Sequence, residues 1–112
     1  MKTTVLLFFI LFSATVFGSN KQEKSKISGV VYENVRGYKI PLSLANIQCN
    51  GTTIGTFSEK TGDFELDLPE GKYTVTFSFA GYKPVKKELK IKKNKNLYLE
   101  VTLEENTGFA QN

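Results

Sequence analysis

The chain has 112 residues, a formal net charge of +4, one cysteine, and neither histidine nor tryptophan. The missing histidine excludes Ser-His-Asp and Cys-His nucleophilic arrangements and the common zinc sites. The lone Cys49 excludes an intramolecular disulfide, so a small domain of thin stability margin must hold together by packing alone.

The chain opens MKTTVLLFFILFSATVFGSNK. Lys2 is a minimal basic start, Val5 to Phe12 is an unbroken apolar run, and Val16 and Gly18 are small enough to precede a signal-peptidase cut. Residues 1–18 therefore read as a secretory signal peptide. The run is too short for a spanning helix, which takes about 20 apolar residues. No Cys ends the signal to carry a lipid anchor, and no second apolar stretch of that kind follows. No membrane span is expected after cleavage. Residues 19–26, SNKQEKSK, are polar and aperiodic and read as a flexible leader.

From Ile27 the pattern is strand, turn, strand, with no helical period. The first strand is 27–33. Residues 34–41 form a connection containing Gly37 and Pro41. The second strand, about 43–49, places Ala45, Ile47 and Cys49 on one face, with Cys49 as a buried thiol. Asn50-Gly51 signals a tight hairpin into a third strand at 52–58. Glu59 to Gly62 make the next turn. Phe64, Leu66 and Leu68 then alternate with Glu65 and Asp67, and after Pro69-Glu70-Gly71 the residues Tyr73, Val75, Phe77 and Phe79 alternate with Thr74, Thr76 and Ser78. Residues 64–79 read as a hairpin at the centre of the core. The following strand turns Val85, Leu89 and Ile91 inward, but Lys87 shares their parity, a conflict that a bulge or an edge position resolves. The last strand turns Leu97, Leu99, Val101 and Leu103 in and Tyr98, Glu100, Thr102 and Glu104 out. Residues 105–112 read as a disordered tail. The sum is an all-β, seven-stranded antiparallel β-sandwich.

Little chemistry is on offer. Glu65 and Asp67 share a face, and Glu59 and Asp63 flank the Gly62 turn, but a solvated sheet face explains the first pair. A calcium loop takes a denser set of oxygens than the second. No cofactor is expected. Asn50-Gly51-Thr52 fits a glycosylation acceptor, though the turn explains it equally. The positive charge gathers in KPVKKELKIKKNK at 83–95, with seven Lys and one Glu. Lysines on an edge strand discourage edge-to-edge pairing. An anionic glycan or lipopolysaccharide is the competing reading. Nucleic acid does not suit a secreted chain. Lys86, Lys90 and Lys92, with the outward Tyr98, form the candidate interaction surface; Tyr32 is also expected on an outer face.

Pro41-Leu42, Ala45-Asn46-Ile47, Gly51-Thr52-Thr53-Ile54-Gly55-Thr56, Gly62-Asp63-Phe64, Leu68-Pro69-Glu70-Gly71, Tyr73 and Gly81-Tyr82 together resemble the carboxypeptidase regulatory-like domain family. The resemblance covers 27–104 and implies a transthyretin-like sandwich without catalysis. Such modules accompany metallocarboxypeptidases and stand at the N-terminus of TonB-dependent outer-membrane transporters. Ser58-Glu59 departs from the Thr-Asp common in the family, and the loop before Pro41 is long. With no peptidase, plug or barrel after the sandwich, a free-standing version is expected. It would sit in the periplasm or at the outer-membrane surface and bind another envelope protein, with an anionic ligand as the alternative. Mature protein is expected to begin at Ser19. N-terminal sequencing that finds Met1 in the mature pool would overturn the signal.

Overall fold

A computed structural model describes residues 23–106. The expected signal peptide, leader residues 19–22 and tail residues 107–112 lie outside them, whereas Glu105 and Asn106, expected in the disordered tail, pair with Tyr82 and Gly81. The described residues form eight strands and no helix. These are β1 (Lys24–Val35), β2 (Tyr38–Pro41), β3 (Asn46–Cys49), β4 (Gly55–Phe57), β5 (Asp63–Pro69), β6 (Gly71–Ser78), β7 (Val85–Ile91) and β8 (Leu97–Leu103). They make two four-stranded sheets packed face to face, the expected sandwich.

Sheet one is built on β1. Strand β8 runs parallel along one edge of it, the single departure from an otherwise antiparallel set. The opposite edge takes β5 along residues 24–30 and then β2 along residues 32–35. Val31 is the handover: its N–H donates to Gly62 O at 2.8 Å and its carbonyl accepts from Leu42 N at 2.9 Å. Gly29 lets β8 come close, since a Cβ there would lie 1.8 Å from the Leu99 carbonyl oxygen. Sheet two has the order β4-β3-β6-β7.

The extra strand is β2, inside the connection read as a loop. A two-residue turn at Arg36-Gly37, with φ of 52° and 90°, folds β1 back on itself, and Asn34 Oδ1 accepts from Gly37 N at 2.9 Å. Positive φ at both central residues is the geometry that matches strand twist. Strand β1 also begins at Lys24, three residues before Ile27, in what the sequence suggests is leader. Buried Ser25 explains this: its hydroxyl donates to Lys92 O at 2.7 Å, and the segment pairs with the end of β5.

Two turns differ from expectation. Asn50-Gly51 is not a two-residue hairpin, because β3 ends at Cys49 and β4 starts at Gly55. Asn50 N continues the β3–β6 ladder by donating to Thr74 O at 2.8 Å. The Thr52 hydroxyl donates to Cys49 O and accepts from Ile54 N, holding a longer loop. Pro69-Glu70-Gly71 is not a hairpin turn either. Strand β5 pairs with β1 in sheet one, whereas β6 pairs with β3 and β7 in sheet two. The segment is a corner that carries the chain across the sandwich. Gly71 supplies it with φ of 154°, and the Tyr73 hydroxyl ties it by donating to Pro69 O at 2.8 Å.

The core lies where the two dry faces meet. Sheet one gives Ile27, Val31, Phe64, Leu66, Leu68, Val101 and Leu103; sheet two gives Ile47, Cys49, Val75, Phe77 and Ile91. Phe64 and Phe77 meet edge to face at 5.5 Å between centroids, a favoured aromatic geometry. Buried Ser58 closes the loop before β3, donating to Leu42 O at 2.6 Å and accepting from Ala45 N at 2.9 Å.

Phe77→Ala is expected to cost about 3–5 kcal/mol, the range for deleting a buried aromatic. Glu65→Ala, on the exposed outer face, is expected to stay within about 0.5 kcal/mol. Chemical denaturation of both variants checks this, and equal midpoints would show the faces reversed.

Candidate functional site

The expected interaction residues fall on two separate surfaces. Strand β7 is an edge of sheet two and pairs with β6 without a bulge from Phe77↔Val85 to Gly71↔Ile91. Strand alternation therefore puts Lys86, Glu88 and Lys90 on the outer face, opposite Thr76, Thr74 and Lys72. Lys86 and Lys90 stand about 13 Å apart along the strand. Lys92 lies just past the strand end and is exposed. Tyr98 belongs to β8 in sheet one and is 60% exposed on that sheet's outer face. The structure thus unites Lys86 with Lys90 and sets Tyr98 on the opposite side of the sandwich.

The edge position resolves the conflict at Lys87. It sits opposite buried Val75, on the core-facing side, yet it is exposed. A side chain of that parity on an edge strand escapes sideways between the sheets. Nothing in the sequence marks Lys72 as a neighbour of Lys90. Its place directly across the ladder depends on the β6–β7 register, which no local signal states. An open depression of about 360 Å³ lies over this pair of strands, lined by Lys72, Tyr73, Thr74, Glu88, Leu89 and Lys90.

Sheet one carries the carboxylates. Asp63, Glu65 and Asp67 are exposed along β5, and Glu65 pairs with Lys26 at 3.7 Å. Glu59 and Asp63 are tied through the backbone, Glu59 N donating to Asp63 O. Among the described residues no group of three or more acidic or Cys side chains converges as a metal site. Tyr98 donates to Glu100 Oε2 at 3.1 Å, and that bond, ahead of desolvation, raises its pKa. Tyr32 lies under Lys39, whose Nζ is 5.6 Å from the ring centroid.

Sequence reasoning missed the apolar surface of the first hairpin. Val35, Tyr38 and Ile40 are exposed there, Leu44 is exposed just after it, and Phe57 is exposed on β4 of the other sheet. The hairpin is anchored by Tyr82, whose hydroxyl donates to Glu33. That hydrogen bond, then burial, pushes the Tyr82 pKa up to about 12.

Residues 27–111 match the family described as CarboxypepD_reg-like domain. A relative, TonB-dependent receptor P3 of Formosa agariphila, is 26% identical over 106 residues, covering 95% of this chain and 10% of the receptor. The chain thus spans about a tenth of that relative's length. The minor pilin GBS52 of Streptococcus agalactiae shares the fold with a TM-score of 0.63 at 15% identity, over 76% of this chain and 46% of the pilin. A chain from a type II cohesin–X-dockerin complex of Acetivibrio cellulolyticus gives 0.59 at 18% identity, over 72% of this chain and 58% of its own length. The protein belongs to the carboxypeptidase regulatory-like domain family.

The Tyr82 bond has a pH signature. Its folded-state pKa is raised, so its stabilisation is complete below the ordinary value of 10.0 and is lost as pH climbs to about 12. Tyr82→Phe is expected to lower stability at neutral pH by about 1 kcal/mol and to flatten the alkaline limb of the stability curve. Denaturation midpoints from pH 8 to 12 (roughly the tyrosine range) check it, and parallel curves for the two proteins would remove the assignment.

Proposed function

We propose that this chain is a non-catalytic interaction module of the bacterial envelope that binds another envelope protein through its sandwich surface. The observation that carries the reading is the family match over 27–111, joined by a TonB-dependent receptor that contains a related segment as a tenth of its length. The chemistry agrees. No histidine is available for proton transfer, and the carboxylates of β5 are spread along an exposed strand rather than gathered in a cleft. Residues 1–18 serve as the export signal in this reading, and the mature chain works in the periplasm or at the outer-membrane surface. Photo-cross-linkers placed at Lys86 and Tyr98, one on each outer face, are expected to trap a discrete envelope protein in cells of the source organism. Absence of any adduct from both positions would sink the proposal.

A second reading rests on one contact. Lys72 and Lys90 stand directly opposite on the outer face, with Glu88 two residues from Lys90; like charges so placed repel, and a bound anion would relieve the repulsion. An anionic glycan would supply one. Replacing Lys86, Lys90 and Lys92 with Thr separates the two readings. If the lysines mainly keep an edge strand from pairing, the variant folds, self-associates more readily in light scattering, and binds dextran sulfate no differently from the parent. A monomeric variant that loses a salt-dependent affinity for dextran sulfate would put the glycan reading in first place.

A further inference from the structure

The sheet edges of this sandwich are unequal. Strand β4 has three residues, β2 has four and ends in Pro41, β5 carries Asp63, Glu65 and Asp67, and β7 carries Lys86, Lys87 and Lys90. Short length, Pro and charge each discourage pairing with another strand. Strand β8 is different. It runs seven residues, has β1 on one side and no strand on the other among the described residues, and bears a single charge, Glu100. Its inward Leu97 and Leu99 are only partly buried.

The chain itself begins to use this edge. Past the end of β8, Tyr82 bridges Glu105, Lys83 N donates to Glu104 O at 2.8 Å, and Asn106 N donates to Gly81 O at 2.9 Å. Pro84 follows, and the chain leaves for sheet two as β7. Strand β7 approaches β8 on this flank, with Cα atoms within 8 Å. A strand added beside β8 would lie on the flank that β7 approaches, and Val85, Lys87 and Leu89 share β7's core-facing parity, opposite Phe77, Val75 and Tyr73.

We propose that β8 is a docking edge for an extended acidic segment of another protein, whose inward side chains read apolar, carboxylate, apolar against Val85, Lys87 and Leu89. Main-chain hydrogen bonds to β8 supply affinity, and alternate side chains supply choice. Charge complementarity commits the occupant: Lys87 is the cation on that face, and a carboxylate opposite it is favoured where a second cation is repelled. This explains why a lysine interrupts the inward row of β7. The inference rests on the interaction role above and names its surface and partner chemistry.

The probe is a capped peptide, Thr-Val-Thr-Glu-Thr-Val-Thr, with a Lys-for-Glu counterpart. Amide hydrogen exchange by NMR on the 19–112 chain is expected to show new protection within Leu97–Leu103 with the Glu peptide. Its affinity is expected to exceed that of the Lys peptide by about tenfold at low salt, with the gap closing as salt rises. Lys87→Glu is expected to reverse the preference, and Lys87→Met to abolish it while leaving the thermal midpoint in place. Equal affinities for the two peptides, no binding of either, protection in β2 or β7 instead of β8, or an unchanged preference in Lys87→Glu would each overturn the proposal. Dextran sulfate displacing the Glu peptide without protecting β8 amides would overturn it in favour of a polyanion site. If the peptides fail while the envelope cross-link still forms, the edge assignment falls and the interaction role stands.

Discussion

Every pairing in sheet one passes through β1. Its twelve residues hold β8 along one edge and β5 followed by β2 along the other. The two backbone groups of Val31 divide the second edge between Gly62 and Leu42. The parallel pairing with β8 joins chain segments about seventy residues apart, Ile27 with Leu97 through Glu33 with Leu103. Such long-range closure costs loop entropy before any contact forms. The compensation is burial: Ile27, Val31, Val101 and Leu103 enter the core together. Gly29 is the steric condition for this, since the Leu99 carbonyl occupies the place a side chain would take.

What alternation can and cannot tell is visible in β5 and β6. Phe64, Leu66 and Leu68 on one run and Val75 and Phe77 on the next are all buried, as their spacing implies. The spacing is silent on whether the two dry faces lie side by side in one sheet or across from each other in two. A short Pro-Glu-Gly link serves both. The corner wins because β5 finds its ladder on β1 and β6 finds its ladder on β3, partners remote in sequence. The same limit governed the candidate surface. Parity alone put Lys86 and Lys90 on one face and Tyr98 on an outward face. Only the long-range pairing of β8 with β1 placed Tyr98 on the other side of the molecule. Strand β2 escaped notice because its turn needs positive φ at Arg36, a residue that gives no local hint of it.

With no disulfide, polar groups inside the sandwich must be well satisfied for so small a core to hold. Ser25 and Ser58 are buried and each bonds backbone. Among the described residues no buried side-chain nitrogen or oxygen lacks a partner. Both serines act at joints rather than within ladders. Ser25 ties the start of β1 to the loop after β7, and Ser58 braces the loop that leads from β2 into β3. A hydroxyl at a joint looks like any other polar residue in the sequence: Ser25 sits in a polar aperiodic run, and Ser58 shows there as a departure from the family pattern and not as a brace.

The flank between β7 and β8 brings these threads together. A sandwich must close each side where its sheets diverge, and here the two sides close differently. Strand β4 leans over β5 on one side, and β7 leans over β8 on the other. On the second side, Gly81 to Lys83 pair with residues 104–106 before Pro84 turns the chain away. Proline has no N–H to extend that ladder. Had the segment continued along β8, sheet one would have gained a fifth strand and sheet two would have lost its β7 edge. The partly buried Leu97 and Leu99 and the exposed Lys87 are therefore consequences of one topological choice. Sending β7 to sheet two leaves β8 as an edge of sheet one, flanked by a strand whose lysine of core-facing parity stays exposed.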